Sequence, residues 1–301
     1  MTPAAVVTFH PDGGWPDRLD ALSREHSRIV VVDNSTSSIA RGFVTATAAS
    51  HPGIDVYTLP TNLGIGAALN LAFTKLAAEG HSRAVAYDQD STPGPQFVES
   101  LIATAVARPC VAVVGAVWTD PQRPNQPARF LRAAGPGGIA FRRIPAEQDL
   151  YGLISVIMSG SLFDLSIWRT LNGFDPGLFL DYVDTDYCLR ARRAGYEIAA
   201  AAAATLLHHR GDKQPVRLLG QTFFPAHTPP FRLRSLTRNR LLLFRRHGLR
   251  PFAWTMYECA YGAKLLADAL LFEDRKASRV AAMLRGLGDG LLHRDGPVRS
   301  T

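Results

Sequence analysis

Two acids, Asp88 and Asp90, flank Gln89 where the apolar run 84–87 gives way to Ser91-Thr92-Pro93-Gly94-Pro95. Carboxylates at i and i+2, at the end of a strand, can hold one divalent cation between them. Hard oxygen ligands suit Mg²⁺ or Mn²⁺, ions that keep waters and substrate phosphates as their remaining ligands. A solvated surface turn carries the same letters, because short acidic patterns recur by chance, so other segments have to agree. The stretch 179–187, FLDYVDTDY, is a second acidic cluster. With a helix starting near Asp184, Asp184 and Asp186 fall in its first turn, where the helix dipole favours negative charge. Capping accounts well for one acid and poorly for three. A carboxylate fixed at such a helix start can also take the proton of a nucleophile. Arg190, four residues past Asp186, is within reach across one turn. A third cluster, Leu207-His208-His209-Arg210-Gly211-Asp212, supplies imidazoles after an apolar run. Neutral His208 would complete a cation site begun by acids, and suits Mn²⁺ better than Mg²⁺; the plain alternative is a satisfied core histidine. Arg232, Arg234, Arg238 and Arg240 place guanidinium groups near a helix start, as phosphate recognition would need. A solvated basic face describes Arg245 and Arg246 better.

These residues need elements to position them. Runs 4–9, 28–32, 54–59, 84–87 and 111–117 read as buried strands. Helical spacing fills 16–24, 39–49, 62–79 and 97–107. Continuous apolar strands alternating with amphipathic helices specify a mostly parallel α/β sheet covered on both faces. Ligands bind such sheets at the carboxyl ends of strands. Phe9, Asp33-Asn34, Asn62 and Asp88–Asp90 each follow a strand end and should gather on one edge. Further on, 119–136 reads as a long loop or hairpin, and 154–158 as a strand. A short helix covers 167–171, and a longer one covers 183–194. The run 199–204 reads as a linker or strand lead-in. Helices follow at 231–247, 251–272 and 278–292. The expected organisation is a catalytic domain over 1–215 and a basic, mainly helical region over 216–301.

Composition narrows the classes. The 301 residues are 47% hydrophobic and 20% charged, as in a globular chain with a substantial core. Residues 210–301 hold 17 Lys+Arg against 7 Asp+Glu, net +10, whereas 1–209 hold 16 and 19, net −3. The basic part could meet anionic lipid, a phosphorylated acceptor or nucleic acid, or reflect arginine-rich composition alone. Cys110, Cys188 and Cys259 are too few and too scattered for a disulfide framework or zinc cluster, which points to a reducing compartment. The N-terminus lacks the basic start and apolar core of a signal peptide. The most apolar stretch, 252–272, is interrupted by Glu258, Lys264 and Asp268, so no spanning helix is expected.

The segments together resemble family 2 glycosyltransferases with a GT-A (Rossmann-like) fold, and more narrowly their bacterial rhamnosyltransferase branch. The resemblance is carried by VVTFHPD at 6–12, VVDNSTS at 31–37, NLGIGAALN at 62–70, YDQDSTP at 87–93, MSGSLFD at 158–164, GFDPGLFLDYVDTDYCLRARRAGYEI at 173–198 and HHRGD at 208–212. It implies that Thr8, Phe9, Asp33 and Asn34 line the nucleobase and ribose pocket, with Asn62, Gly64, Asp88 and Gln89 also at the donor. Asp90 would ligate the cation that bridges the donor diphosphate, with Asp88 beside it and His208 completing the site. Asp184 would be the general base, Asp186 would help orient the acceptor, and Ser159-Gly160 would form acceptor wall. Asn34 stands where many relatives have a second acid, and Asp186 where many have Glu.

The implied activity is an inverting, Mg²⁺- or Mn²⁺-dependent transfer of L-rhamnose from dTDP-L-rhamnose, with UDP-galactofuranose or another UDP-sugar as the next donor. The implied acceptor is a cell-envelope glycan or polyprenyl-linked saccharide. The setting is cytoplasmic, with peripheral contact on the inner membrane face through the basic helices, and a homo-oligomer is compatible with it. A nucleic-acid-binding protein would leave the ordered acids unexplained, since acids on the binding face repel phosphate. A nucleotidyltransferase would need a basic residue in the loop after the first strand, and His10-Pro11-Asp12-Gly13-Gly14 lacks one. An inactive nucleotide-sugar-binding protein is the remaining alternative.

Overall fold

The computed structural model describes residues 1–121, 128–134, 138–143, 148–208, 216–218, 221–225, 227–249 and 252–297. Strands β1 (Ala4–Thr8), β2 (Ile29–Asp33), β3 (Ile54–Thr58) and β4 (Arg83–Asp88) alternate with helices α1 (Trp15–Glu25), α2 (Ser38–Ala49) and α3 (Ile65–Ala78). There follow β5 (Ser91–Pro93), α4 (Phe97–Val106), β6 (Val111–Thr119), β7 (Arg129–Ala134), β8 (Gly138–Arg143), β9 (Ser161–Asp164), α5 (Leu165–Thr170), α6 (Val183–Arg193) and β10 (Glu197–His208). The main sheet runs β3-β2-β1-β4-β9-β6-β10-β5. The β3-β2-β1-β4 block and the β6–β10 pair are parallel; β9 and the short β5 run against their neighbours.

Side-chain alternation explains the two covered faces. Ala4, Val6, Ile29, Val31, Val85 and Tyr87 join Trp15, Leu19, Val44, Phe97 and Leu101 in one core. On the other side Phe73, Phe163, Phe174 and Tyr187 pack in tilted and edge-to-face pairs at 5.1–5.6 Å between centroids. Burial pushes the neighbouring Cys188 thiol up to about 12, so this cysteine is a packing residue.

Two expectations change, and one open alternative is decided. The stretch 154–158 is not a strand: the chain turns at Gly160 (φ 72°), whose N–H donates to Ala86 O, and the strand begins at Ser161. The alanine run 199–204 is the interior of the twelve-residue β10, not a lead-in. Alanine is a weak strand former, but Ala199, Ala200 and Ala201 are fully buried in a layer too thin for larger side chains. A Cβ added to neighbouring Gly115 would lie 2.6 Å from Val156. Within 119–136, β7 pairs with β8 as a two-stranded ribbon, which selects the hairpin; 122–127 and 135–136 lie outside the described residues.

The chain forms two compact units. One comprises 1–132, 141–176 and 183–209; the other comprises 133–140, 177–182 and 210–301. The second contains the short ribbon β11 (Val216–Leu218) and β12 (Gln221–Phe223), and helices α7 (Pro230–His247), α8 (Phe252–Leu271) and α9 (Lys276–Leu291). Helix α9 comes close to α7 at Gly286, where a Cβ would meet Arg234 O at 2.4 Å. The arginines expected to meet phosphate are engaged inside this unit. Arg232 pairs with Asp181 (3.0 Å), Arg234 with Asp289 (2.6 Å) and Arg240 with Glu258 (3.2 Å), while Arg238 donates to Gly296 O (2.7 Å). Buried acids left unpaired would be costly, so α7 supplies their counter-charges. Arg245 and Arg246 are exposed, as expected. Among the described residues no helix is long and apolar enough to cross a membrane.

Candidate active site

Strand register brings the residues that follow β1, β2, β3 and β4 to one edge. Thr8 pairs with Asp33, Asp33 with Thr58, and Val7 with Asp88, so the loops after β1, β2, β3 and β4 leave together. Asp33 is fully buried. Its Oδ1 accepts from Thr8 Oγ1 (2.9 Å), Ser35 N (3.1 Å) and Ser35 Oγ (2.6 Å). Its Oδ2 is buried with no hydrogen-bond partner among the described residues. Thr8 thus supports Asp33, and Phe9 presents a half-exposed ring at the strand end.

The amides expected at the donor also bond main chain. Asn34 Oδ1 accepts from Leu63 N (3.1 Å) and its Nδ2 donates to Gly64 O (3.3 Å). Asn62 Oδ1 accepts from Gly64 N (2.9 Å). Together they shape the loop that opens α3. Gln89 bonds both main-chain groups of Phe9. Sequence reading missed Asn70, whose side chain accepts from Phe174 N and donates to Phe174 O, each at 2.8 Å. The same helix passes so close to the next acidic segment that a Cβ on Gly66 would meet Asp175 O at 3.0 Å and Val183 at 3.3 Å. The donor loop and the start of α6 are therefore neighbours.

Asp88, Asp90 and His208 come together although 120 residues separate the first from the last. β10 pairs with β5 so that His208 lies opposite Ser91. One ligand atom from each of the three lies within 4.8 Å of the other two. Asp90 Oδ1 is 3.3 Å from His208 Nδ1, and it is buried without a hydrogen bond among the described residues. Two ligands at right angles on one ion, each at about 2.1 Å, stand about 3.0 Å apart. The spacing, the orphaned oxygen and the two-acid, one-imidazole donor set all fit a divalent cation. Two serines support the group: Asp88 N donates to Ser159 Oγ (2.9 Å), Ser159 Oγ contacts Ser91 Oγ (2.7 Å), and Ser91 Oγ contacts His208 Nδ1 (2.9 Å). Both serines are buried. The clue in the sequence was a serine directly after the second acid. His209, Arg210, Gly211 and Asp212 lie outside the described residues.

Asp184 and Asp186 stand in the first turn of α6, outside the three-ligand group. Asp184 is half-buried, and its Oδ1 accepts from Thr185 N (2.7 Å). Asp186 is buried against Arg190 (2.8 Å), whose other nitrogens donate to Leu171 O and Gly173 O. The arginine holds the Asp186 carboxylate in the fold.

The sheet thus carries paired acids, an imidazole and a buried carboxylate at its carboxyl edge, an arrangement suited to an enzyme that uses nucleotide-linked sugars. The chain belongs to glycosyltransferase like family 2, whose family model matches residues 19–239, and it is a glycosyltransferase. A dTDP-rhamnosyl transferase, RfbF of Shigella flexneri, is 25% identical over 276 residues, covering 91% of this chain and 88% of the relative. Among solved structures, GalNAc-T7 with UDP, GalNAc and Mn²⁺ superposes with a TM-score of 0.57 at 12% identity, over 99% of this chain and 58% of that one. The mannosyltransferase PcManGT of Pyrobaculum calidifontis, with GDP-Man and Mn²⁺, gives 0.57 at 13%, over 97% and 87%. These likenesses bear out the GT-A architecture.

Proposed function

We propose that the protein is an inverting, metal-dependent rhamnosyltransferase. It moves L-rhamnose from dTDP-L-rhamnose to a hydroxyl of a cell-envelope glycan or polyprenyl-linked saccharide. The observation that carries this reading is the Asp88/Asp90/His208 group on the sheet edge that also holds Asp33. The dTDP-rhamnosyl transferase relative supports the donor. Asp88, Asp90 and His208 would hold Mn²⁺ or Mg²⁺, which when bound would offset the charge growing on the departing diphosphate. Asp184 takes the proton of the acceptor hydroxyl, and that oxygen attacks the anomeric carbon from the face opposite the nucleotide. Thermal shift and slow donor hydrolysis, across a panel of nucleotide sugars with each metal, test this.

Asp33 narrows the base. Its Oδ1 already receives three donors, so one acceptor, Oδ2, remains for the ligand. Thymine and uracil offer one matching donor, the imide N3–H. The same argument keeps a UDP-sugar, galactofuranose included, as the second donor. A hydrogen bond to a charged group is worth roughly 1.5–3 kcal/mol. Asp33→Asn should therefore weaken dTDP binding about 10- to 100-fold by calorimetry. Unchanged affinity would remove Asp33 from base recognition.

The acceptor side involves membrane contact. Helix α8 exposes Phe252, Met256, Leu266, Leu270 and Leu271, and α9 exposes Leu284, Leu287 and Leu291. Trp254 of α8 packs against Phe244 in the interior. Such apolar exposure marks a surface that gets covered. Residues 210–301 carry net +10, so a second copy would meet its own charge, whereas an anionic bilayer complements it. The protein should float with phosphatidylglycerol vesicles and not with phosphatidylcholine ones. Leu266→Asp with Leu270→Asp should abolish flotation. Equal flotation of wild type and variant would reject this face.

A further inference from the structure

The ladder between β1 and β4 ends at the Val7–Asp88 pair. Beyond it one chain carries Phe9 toward the base pocket and the other carries Asp88 and Asp90 toward the cation. Nothing in sheet geometry holds these two loops together past that point, yet they are tied. Gln89 Oε1 accepts from Phe9 N (2.7 Å) and Gln89 Nε2 donates to Phe9 O (3.2 Å), so one side-chain amide takes both main-chain bonds that a neighbouring strand would have taken. Arg18, reaching from α1, donates through Nε to Gln89 O (2.6 Å) and through Nη2 to Asp12 Oδ1 (2.5 Å). The same Asp12 oxygen accepts from Gly14 N (2.9 Å). A Cβ at Gly14 would lie 2.7 Å from Arg18 Nη1, so a side chain at position 14 would push the guanidinium aside. The Arg18 side chain is only 16% exposed.

We infer that Arg18 and Gln89 are positioning residues that fasten the nucleobase loop to the metal loop, making the two ends of the donor site one rigid receptor. The inference rests on the donor reading above. A nucleoside touches one loop and a cation the other; a nucleoside diphosphate with its metal touches both. Ligand groups that act on one pre-ordered body reinforce each other, and part of that reinforcement is lost when the second contact must first order its loop. The bracket should therefore show up as coupling between metal and nucleotide, and only weakly in the affinity of either part alone.

The test uses the full chain and calorimetric titration of thymidine, of Mn²⁺, and of dTDP with and without Mn²⁺, with UDP in parallel. In the wild type Mn²⁺ should tighten dTDP binding. In Arg18→Met and in Gln89→Leu this tightening should shrink about 10-fold, while thymidine alone and Mn²⁺ alone each change less than about 3-fold. The double variant should match the single ones, because either loss opens the bracket. Undiminished tightening in the variants overturns the inference, and so does an equal fall in all affinities, which would mark a merely structural role. A wild type that binds neither dTDP nor UDP overturns the donor reading itself, and the inference with it.

Discussion

Asp184→Asn should cut sugar transfer by at least about 100-fold while leaving donor affinity and melting temperature near wild type. Removing a positioned general base typically costs 10²- to 10⁴-fold, and asparagine keeps the size of the side chain. Its place favours that outcome. Asp184 lies in the first turn of α6, half-buried, with Thr185 N donating to it. The segment entering α6 is clamped to the donor loop through Asn70 and the close approach of Gly66. Asp186, two residues on, should behave differently. Its carboxylate is buried in an ion pair with Arg190, and breaking such a pair from one side costs roughly 3–5 kcal/mol. Asp186→Asn should thus lower the melting temperature, and lose activity only with the fold. More than a few per cent of wild-type turnover in Asp184→Asn, with normal donor binding, would dismiss Asp184 as the base. Equal melting of both variants would undo the distinction between the neighbours.

That distinction was not legible in the sequence, where both acids satisfied the same helix-start argument. What separates them is Arg190, and an i+4 spacing says a pair can form without saying whether it will be buried. The parallel half of the sheet was legible because Val, Ile and Ala runs leave little choice once helices alternate with them. Its edge followed, since strand ends must carry the loops. The reversed β9 was not legible: the apolar 154–158 draws the strand too early, and only the turn at Gly160 shows where it starts. β10 was hidden because alanines announce no strand, and their smallness is useful only next to a layer the sequence does not display. Amide side chains were the other blind spot. Asn34, Asn62 and Gln89 stand where ligand contacts are expected, yet each is bonded to main chain, a matter of side-chain direction that letter order does not encode. The arginines of α7 failed for the same reason: basic spacing predicts a charged surface, and buried Asp181, Asp289 and Glu258 redirect it inward.

Asp90→Ala should be the most damaging single change at the cation site. Lewis-acid stabilisation of a leaving diphosphate is worth several kcal/mol, or roughly three powers of ten in rate, and EDTA should produce a loss of the same order. Asp90 has the stronger claim than Asp88 because its buried Oδ1 has no hydrogen bond among the described residues and sits at ligand spacing from His208. His208 then separates the two candidate ions. Imidazole suits Mn²⁺ better than Mg²⁺, so His208→Ala should weaken Mn²⁺ binding more than Mg²⁺ binding, read by electron paramagnetic resonance and by metal-dependent thermal shift. Ser159→Ala should act on the same readout from one step away. It removes the hydroxyl that receives Asp88 N–H and supports Ser91 beside His208, and loss of such a supporting contact typically costs 10- to 100-fold in metal affinity. If Asp90→Ala keeps full activity in chelator, these acids form a turn and nothing more. If metal affinity falls in Asp90→Ala but not in Ser159→Ala, the acids hold the ion without help from the serine pair.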